Sequence, residues 1–180
     1  MSLKNHWSLN IDEALAADRI KRELTRQFEV FFPTNAQLKN IDLILFNLST
    51  KKSRTIQVKG SRTYEPSKAE VNKYGGGRTA WVTITKDQIL KTKNEIDFFI
   101  IVLHSLVDSK TRKEIQNDFL VVPARDMRKI VSKKKVRRGG KYHFFIWIDP
   151  QNKRSFDFNN ADRKQINLKL FLNNWRLLSR

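Results

Sequence analysis

Six consecutive residues, Phe98-Phe99-Ile100-Ile101-Val102-Leu103, contain no polar side chain. A strand turns successive side chains to opposite faces. A strand that is apolar on both faces belongs at the centre of a sheet covered from both sides. The rest of the chain must supply the neighbouring strands and the layers that cover them.

The pattern around this run supplies both. Asn10 or Asp12 caps a first helix that extends to about Gln27, with Ala17, Ile20, Leu24 and Phe28 on one side. Phe28-Glu29-Val30-Phe31-Phe32 is a short strand stopped by Pro33, and 34–40 is polar and loop-like. Ile41-Asp42-Leu43-Ile44-Leu45-Phe46 and Thr55-Ile56-Gln57-Val58-Lys59 form the arms of a hairpin joined through 48–53. Gly60 to Arg78 shows no periodicity and carries Gly75-Gly76-Gly77, so it is expected to be a long, flexible flap. Thr85-Lys86-Asp87-Gln88 has the form of a capping box and starts a helix that ends near Asn94.

After the apolar run, Leu106 to Asn117 is a mostly polar excursion. Phe119-Leu120-Val121-Val122 is a strand stopped by Pro123, and Pro123 to Ser132 is a short helix. Lys133 to Lys141 is a basic loop, Lys141 to Ile148 a strand, and Phe156 with Phe158 mark one more. A closing helix from about Asp162 to Leu178 puts Leu168, Phe171, Leu172, Trp175 and Leu178 on one side. The order predicts a single α/β domain over 1–180, with a mixed sheet and helices on both faces.

Charge narrows the partner. There are 36 Lys and Arg against 18 Asp and Glu, a net charge of +18. The basic residues are spread along the folded-looking chain, which attracts a polyanion and points to nucleic acid. Lys133, Lys134, Lys135, Arg137, Arg138 and Lys141 form the densest basic stretch, with Arg62, Lys68, Lys73 and Arg78 as a second set. The alternative for any lysine run is a solvated loop. The four Trp and twelve Phe are mainly core, although Trp81 could instead stack on a base.

The chain has no cysteine, which removes disulfides, thiolate metal sites and a Cys nucleophile. No apolar stretch reaches the length of a membrane span, and no signal-peptide core begins the chain. The expected location is cytoplasmic, nucleoid-associated in a prokaryote, with no membrane partner. His6, His104 and His143 are scattered, and His104 at a strand end fits a hydrogen-bonded structural role.

Chemistry is concentrated in the hairpin. Gln57 and Lys59 project from one face of their strand. A register that sets Asp42 opposite either of them brings a carboxylate, an amide and an ammonium together in a mostly apolar sheet. A slip of one residue turns an arm over. Magnesium takes hard oxygen donors, and Asp42, the Gln57 side-chain oxygen and the Val58 carbonyl offer three. Glu13, at the head of the apolar helix face, either holds the metal or one of its waters, or simply favours the helix N-terminus. Lys59 suits a phosphate oxygen. Together these make a site for phosphodiester hydrolysis.

An acid on a leading helix, a strand, Asp42 on a second strand and Gln57-Val58-Lys59 on a third resemble the PD-(D/E)xK nuclease superfamily of restriction endonucleases and Holliday junction resolvases. The likeness covers about Asp12 to Ser61, and the strands up to Pro123 look like the core strands that follow. It implies a restriction-endonuclease-like fold and a Mg²⁺-dependent DNA endonuclease, with Mn²⁺ as an accepted substitute. Asp42, Gln57, Val58 and Glu13 would be its metal ligands and Lys59 its catalytic lysine. A symmetric homodimer is implied as well, because two strands must be cut. Two positions depart from the pattern: Ile41 stands for the proline, and Gln57 for an acid. The second leaves open a basic DNA-binding protein with an inactive site. RNA binding is a third reading, for which the chain has no RNP-type aromatic motif.

Overall fold

The computed structural model describes residues 10–24, 26–33, 40–90, 95–108, 112–158 and 165–179. The expectations for 34–39, for His6, for helix beyond Leu90 and for 162–164 lie outside them. The architecture is mixed α/β: four α-helices and a nine-stranded, largely antiparallel open sheet among the described residues.

The chain begins with α1 (Ile11–Glu23), followed by β1 (Phe28–Phe31), β2 (Leu43–Asn47) and β3 (Ser53–Tyr64). Then come α2 (Lys68–Tyr74), β4 (Arg78–Thr85), α3 (Lys86–Leu90), β5 (Phe98–Asp108) and β6 (Lys113–Pro123). The rest is α4 (Ala124–Val131), β7 (Lys141–Asp149), β8 (Arg154–Asp157), β9 (Ile166–Asn167) and two 3₁₀ turns, Lys169–Phe171 and Trp175–Ser179.

The apolar run is the centre of the fold. Phe99, Ile101 and Leu103 of β5 join a core with β4, β7, α3 and α4. Phe98, Ile100 and Val102 face the opposite way, toward Ala16, Ala17 and Ile20 of α1 and toward Trp175 and Leu178. Residues on β6 divide in the same manner, Leu120 and Val122 to one core and Phe119 and Val121 to the other. Helices therefore cover both faces, as the sequence pattern demands.

Strand β3 links two parts of the sheet. Its first half pairs with β2 antiparallel and with β5 in parallel, from Ile56–Phe98 to Arg62–His104. Its end pairs with β4 through Thr63–Ala80 and Tyr64–Thr79. From there β4, β7, β8 and β9 continue in antiparallel order. Among the described residues no helix is long and apolar enough to cross a membrane.

Three expectations are corrected. The segment after Gly60 is not a flexible flap: β3 runs on to Tyr64 and α2 follows. Ser67 caps α2, and Glu70 returns the bond to the Ser67 N–H at 2.8 Å. Tyr74 then packs its ring 5.2 Å from Trp147 and 5.1 Å from Phe156. The polar excursion at 106–117 is a hairpin arm, since β5 and β6 stay in register out to Asp108–Lys113. The closing helix does not form across the described part of its range. Asn173 is left-handed, with φ of 49°, and binds the edge of β6 as a strand would. Its N–H donates to the Phe119 carbonyl at 2.7 Å, and its Oδ1 accepts from the Phe119 N–H at 2.8 Å. Leu168, Trp175 and Leu178 are buried nonetheless, so the apolar spacing is satisfied by turns.

Candidate active site

Asp42 precedes β2 and lies across from Gln57. The Asp42 N–H donates to the Ile56 carbonyl at 2.9 Å. Its Oδ2 accepts the Val58 N–H at 2.7 Å. One residue thus holds β3 on both sides of Gln57. The β2–β3 ladder has its last pair at Leu43–Ile56, and among the described residues no strand pairs with β3 on that side between there and Thr63. A strand residue directs its N–H and carbonyl to the same side. The Val58 carbonyl is accordingly turned to the edge that Asp42 occupies.

Gln57 and Lys59 share the face of Phe99 and Ile101, their register partners on β5. Gln57 is 1% exposed, and its Oε1 has no hydrogen-bond partner among the described residues. Lys59 is half-buried. Glu13 approaches from α1, anchored by Asn10, whose side chain accepts the Asp12 N–H at 3.1 Å. Burial raises the Glu13 carboxyl above its ordinary range, and the neighbouring Asp42 carboxylate raises it further, while Lys59 pulls it back. Glu13, Asp42 and Lys59 are therefore within electrostatic reach of one another. Gln57 turns its side chain to the face opposite α1, so the residues within reach of Glu13 are Asp42 and Lys59.

Sequence reasoning assigned Asp12 only a capping role. Its Oδ1 lies 2.6 Å from His104 Nε2, and His104 Nδ1 lies 2.8 Å from Asn117 Oδ1. The Asp12 carboxylate rests on Gly60, where an added Cβ would stand 1.9 Å from Oδ2. The readable signal was the glycine itself, since a strand glycine marks a close approach. His104 is hydrogen-bonded structure, as its position suggested.

The donors suit a hard cation: Glu13 and Asp42 supply carboxylates, and Gln57 and Val58 supply neutral oxygens. The orphaned, buried Gln57 Oε1 fits that use. Among the described residues, however, no group of three or more His, Asp or Glu is set to hold a metal by itself. Any metal here depends on the two neutral oxygens.

The basic stretch divides. Lys133, Lys135 and Arg138 are exposed and Arg137 is half-buried on the loop between α4 and β7, and exposed Lys141 opens β7. Lys134 is corrected: it is 8% exposed, forms a buried ion pair with Asp157, and sits 5.0 Å from the Phe144 ring centre. A cation paired inside the core has none of the reach a phosphate contact needs. Arg78 is half-buried and helps ionise Asp118, whose carboxyl is raised by burial and drawn back by Asn173 and Arg78. Arg62 is exposed, its guanidinium 5.3 Å from the Tyr64 ring centre.

No protein-family model, no curated protein and no solved structure matches this chain.

Proposed function

We propose that the chain is a metal-dependent DNA endonuclease of the PD-(D/E)xK type, with a restriction-endonuclease-like core. The observation that carries the reading is the buried, unpartnered oxygen of Gln57 directly across from Asp42. An unpaired amide oxygen in a core is costly, about 1–3 kcal/mol. A cation ligated there offsets that cost.

Hydrolysis joins a water oxygen to phosphorus and breaks one ester bond, leaving a phosphate monoester and an alcohol. A bound Mg²⁺ would supply Lewis acidity at the phosphoryl oxygens and favour ionisation of the attacking water. Asp42, Glu13, Gln57 and the Val58 carbonyl would hold it. Lys59 places a compact positive charge where negative charge grows on the phosphate. Glu13, beside Asp42, would hold the metal directly or through one of its bound waters. Lys133, Lys135, Arg137, Arg138 and Lys141 hold the DNA backbone and give binding its salt dependence.

The test is cleavage of supercoiled, linear, branched and single-stranded DNA with and without Mg²⁺. Asp42→Ala and Lys59→Ala should each abolish cutting while DNA binding survives. Unchanged cutting by either variant ends the assignment. The second reading is a basic DNA-binding protein with a degenerate site, and Gln57 in an acid's place favours it. It predicts salt-sensitive binding and no Mg²⁺-dependent cleavage of any form.

A further inference from the structure

Beyond the charged edge, the solvent face of the β4–β7 ladder carries aromatic rings where a solvated sheet carries polar groups. Trp81 and Phe145 are register partners with rings stacked at 19° and centres 6.2 Å apart. Trp81 is 50% exposed and Phe145 37%. His143, two residues along β7, sets its ring 5.6 Å from Trp81. The remaining β4 residues on this face are Thr79, Thr83 and Thr85. The main core takes Ala80, Val82, Ile84, Phe144 and Ile146 from the alternate positions, and Phe145 also sets its ring edge-on to Phe158 with centres 6.3 Å apart.

Cations frame the rings. Thr63 and Tyr64 pair with Ala80 and Thr79, which puts Arg62 and the 47% exposed Tyr64 on the side of Trp81. Lys141, exposed, closes the same face opposite Thr85. Arg62 lies three positions beyond Lys59 on β3, about 10 Å along the strand and on the opposite face of the sheet.

We propose that Trp81 and Phe145 form a stacking platform for unpaired DNA bases, with Arg62 and Lys141 holding the phosphates on either side. Exposed rings at base height within a cationic surface are the pairing by which proteins hold single strands without reading sequence. A duplex keeps its base faces covered and offers nothing for these rings. The inference rests on the nucleic-acid reading above but not on the metal site. It names the substrate class as DNA with an unpaired stretch.

The test is fluorescence anisotropy of labelled oligo-dT and of a duplex of equal length, in EDTA, at several salt concentrations. Trp81→Ala should weaken oligo-dT binding about tenfold, the scale of one lost stack. It should leave the salt slope unchanged and duplex binding within about twofold. Trp81→Phe should restore affinity, and with it the tryptophan quenching seen on adding oligo-dT to the native protein should fall. Equal loss on both DNA forms, no loss on either, or a native protein that ignores oligo-dT overturns the proposal. Binding of oligo-rU with no binding of oligo-dT overturns its assignment to DNA. Selective oligo-dT binding with no Mg²⁺-dependent cleavage keeps the platform and ends the nuclease reading.

Discussion

Gln57→Met separates a functional buried amide from a structural one. Gln57 is 1% exposed with Oε1 unpartnered, so the native fold bears the desolvation of that oxygen. Methionine has similar length, fills the same space beside Phe99 and carries no such oxygen. Removing an unpaired acceptor recovers about 1–3 kcal/mol, and losing bonds made by the amide nitrogen costs about 0.5–1.5 kcal/mol. The balance is a gain of about 1 kcal/mol, or about 2–4 °C in melting temperature for a chain of this size. The assay is urea and thermal unfolding in EDTA, run beside plasmid cleavage in Mg²⁺. The expected result is a more stable protein whose cleavage is lost, because a costly group retained at a site is retained for its chemistry. A variant less stable by about 1 kcal/mol or more, the usual cost of breaking a satisfied core hydrogen bond, would refute the reasoning. Unchanged cleavage would refute it equally.

Gly60→Ala should destabilise the protein by about 1–3 kcal/mol in urea unfolding, since its Cβ would stand 1.9 Å from an Asp12 oxygen. Most of that cost should disappear in an Asp12→Ala background. Lys134→Ala should cost about 3–5 kcal/mol by stranding buried Asp157, with the salt slope of DNA binding unaltered. Lys135→Ala should do the reverse, reducing that slope by about 1 with stability nearly constant. For Glu13 the sign follows from a folded-state carboxyl raised above its ordinary 4.5. As pH rises through that value the unfolded chain ionises first, so the native state loses stability until its own higher value is passed. Glu13→Gln should therefore gain on the native protein as pH rises from acid to neutral. The measurement is unfolding of both proteins in EDTA across that range, and a constant difference would contradict it.

Legibility depended on range. Local spacing was sufficient for α1, for the capping box at Thr85 and Gln88, and for the strands at 98–103, 119–122 and 141–148, because each is set by contacts a few residues apart. Helix α2 has capping-box spacing at Ser67 and Glu70, but at seven residues it is too short for periodicity to register. The C-terminal spacing anticipated the burial of Leu168, Trp175 and Leu178, but these divide between the two cores and no helix carries them. Asn173 trades helix for bonds to β6, and nothing nearby in sequence announces a strand edge 54 residues away. The same limit applied to Lys134, which has the sequence context of a surface lysine and the environment of a core residue.

Sequence by itself determined that a doubly covered strand lies at the centre, that the chain is strongly cationic, and that Gln57 and Lys59 share one face of a strand. Those properties follow from side-chain chemistry and from the two-residue period of extended chain. Tertiary structure alone decided that Asp42 lies across from Gln57, that Glu13 comes near Asp42 and Lys59 from α1, and that Trp81 and Phe145 stack in solvent. Each of these depends on register and on the side a distant element approaches from, and both are settled by how the two cores pack as a whole.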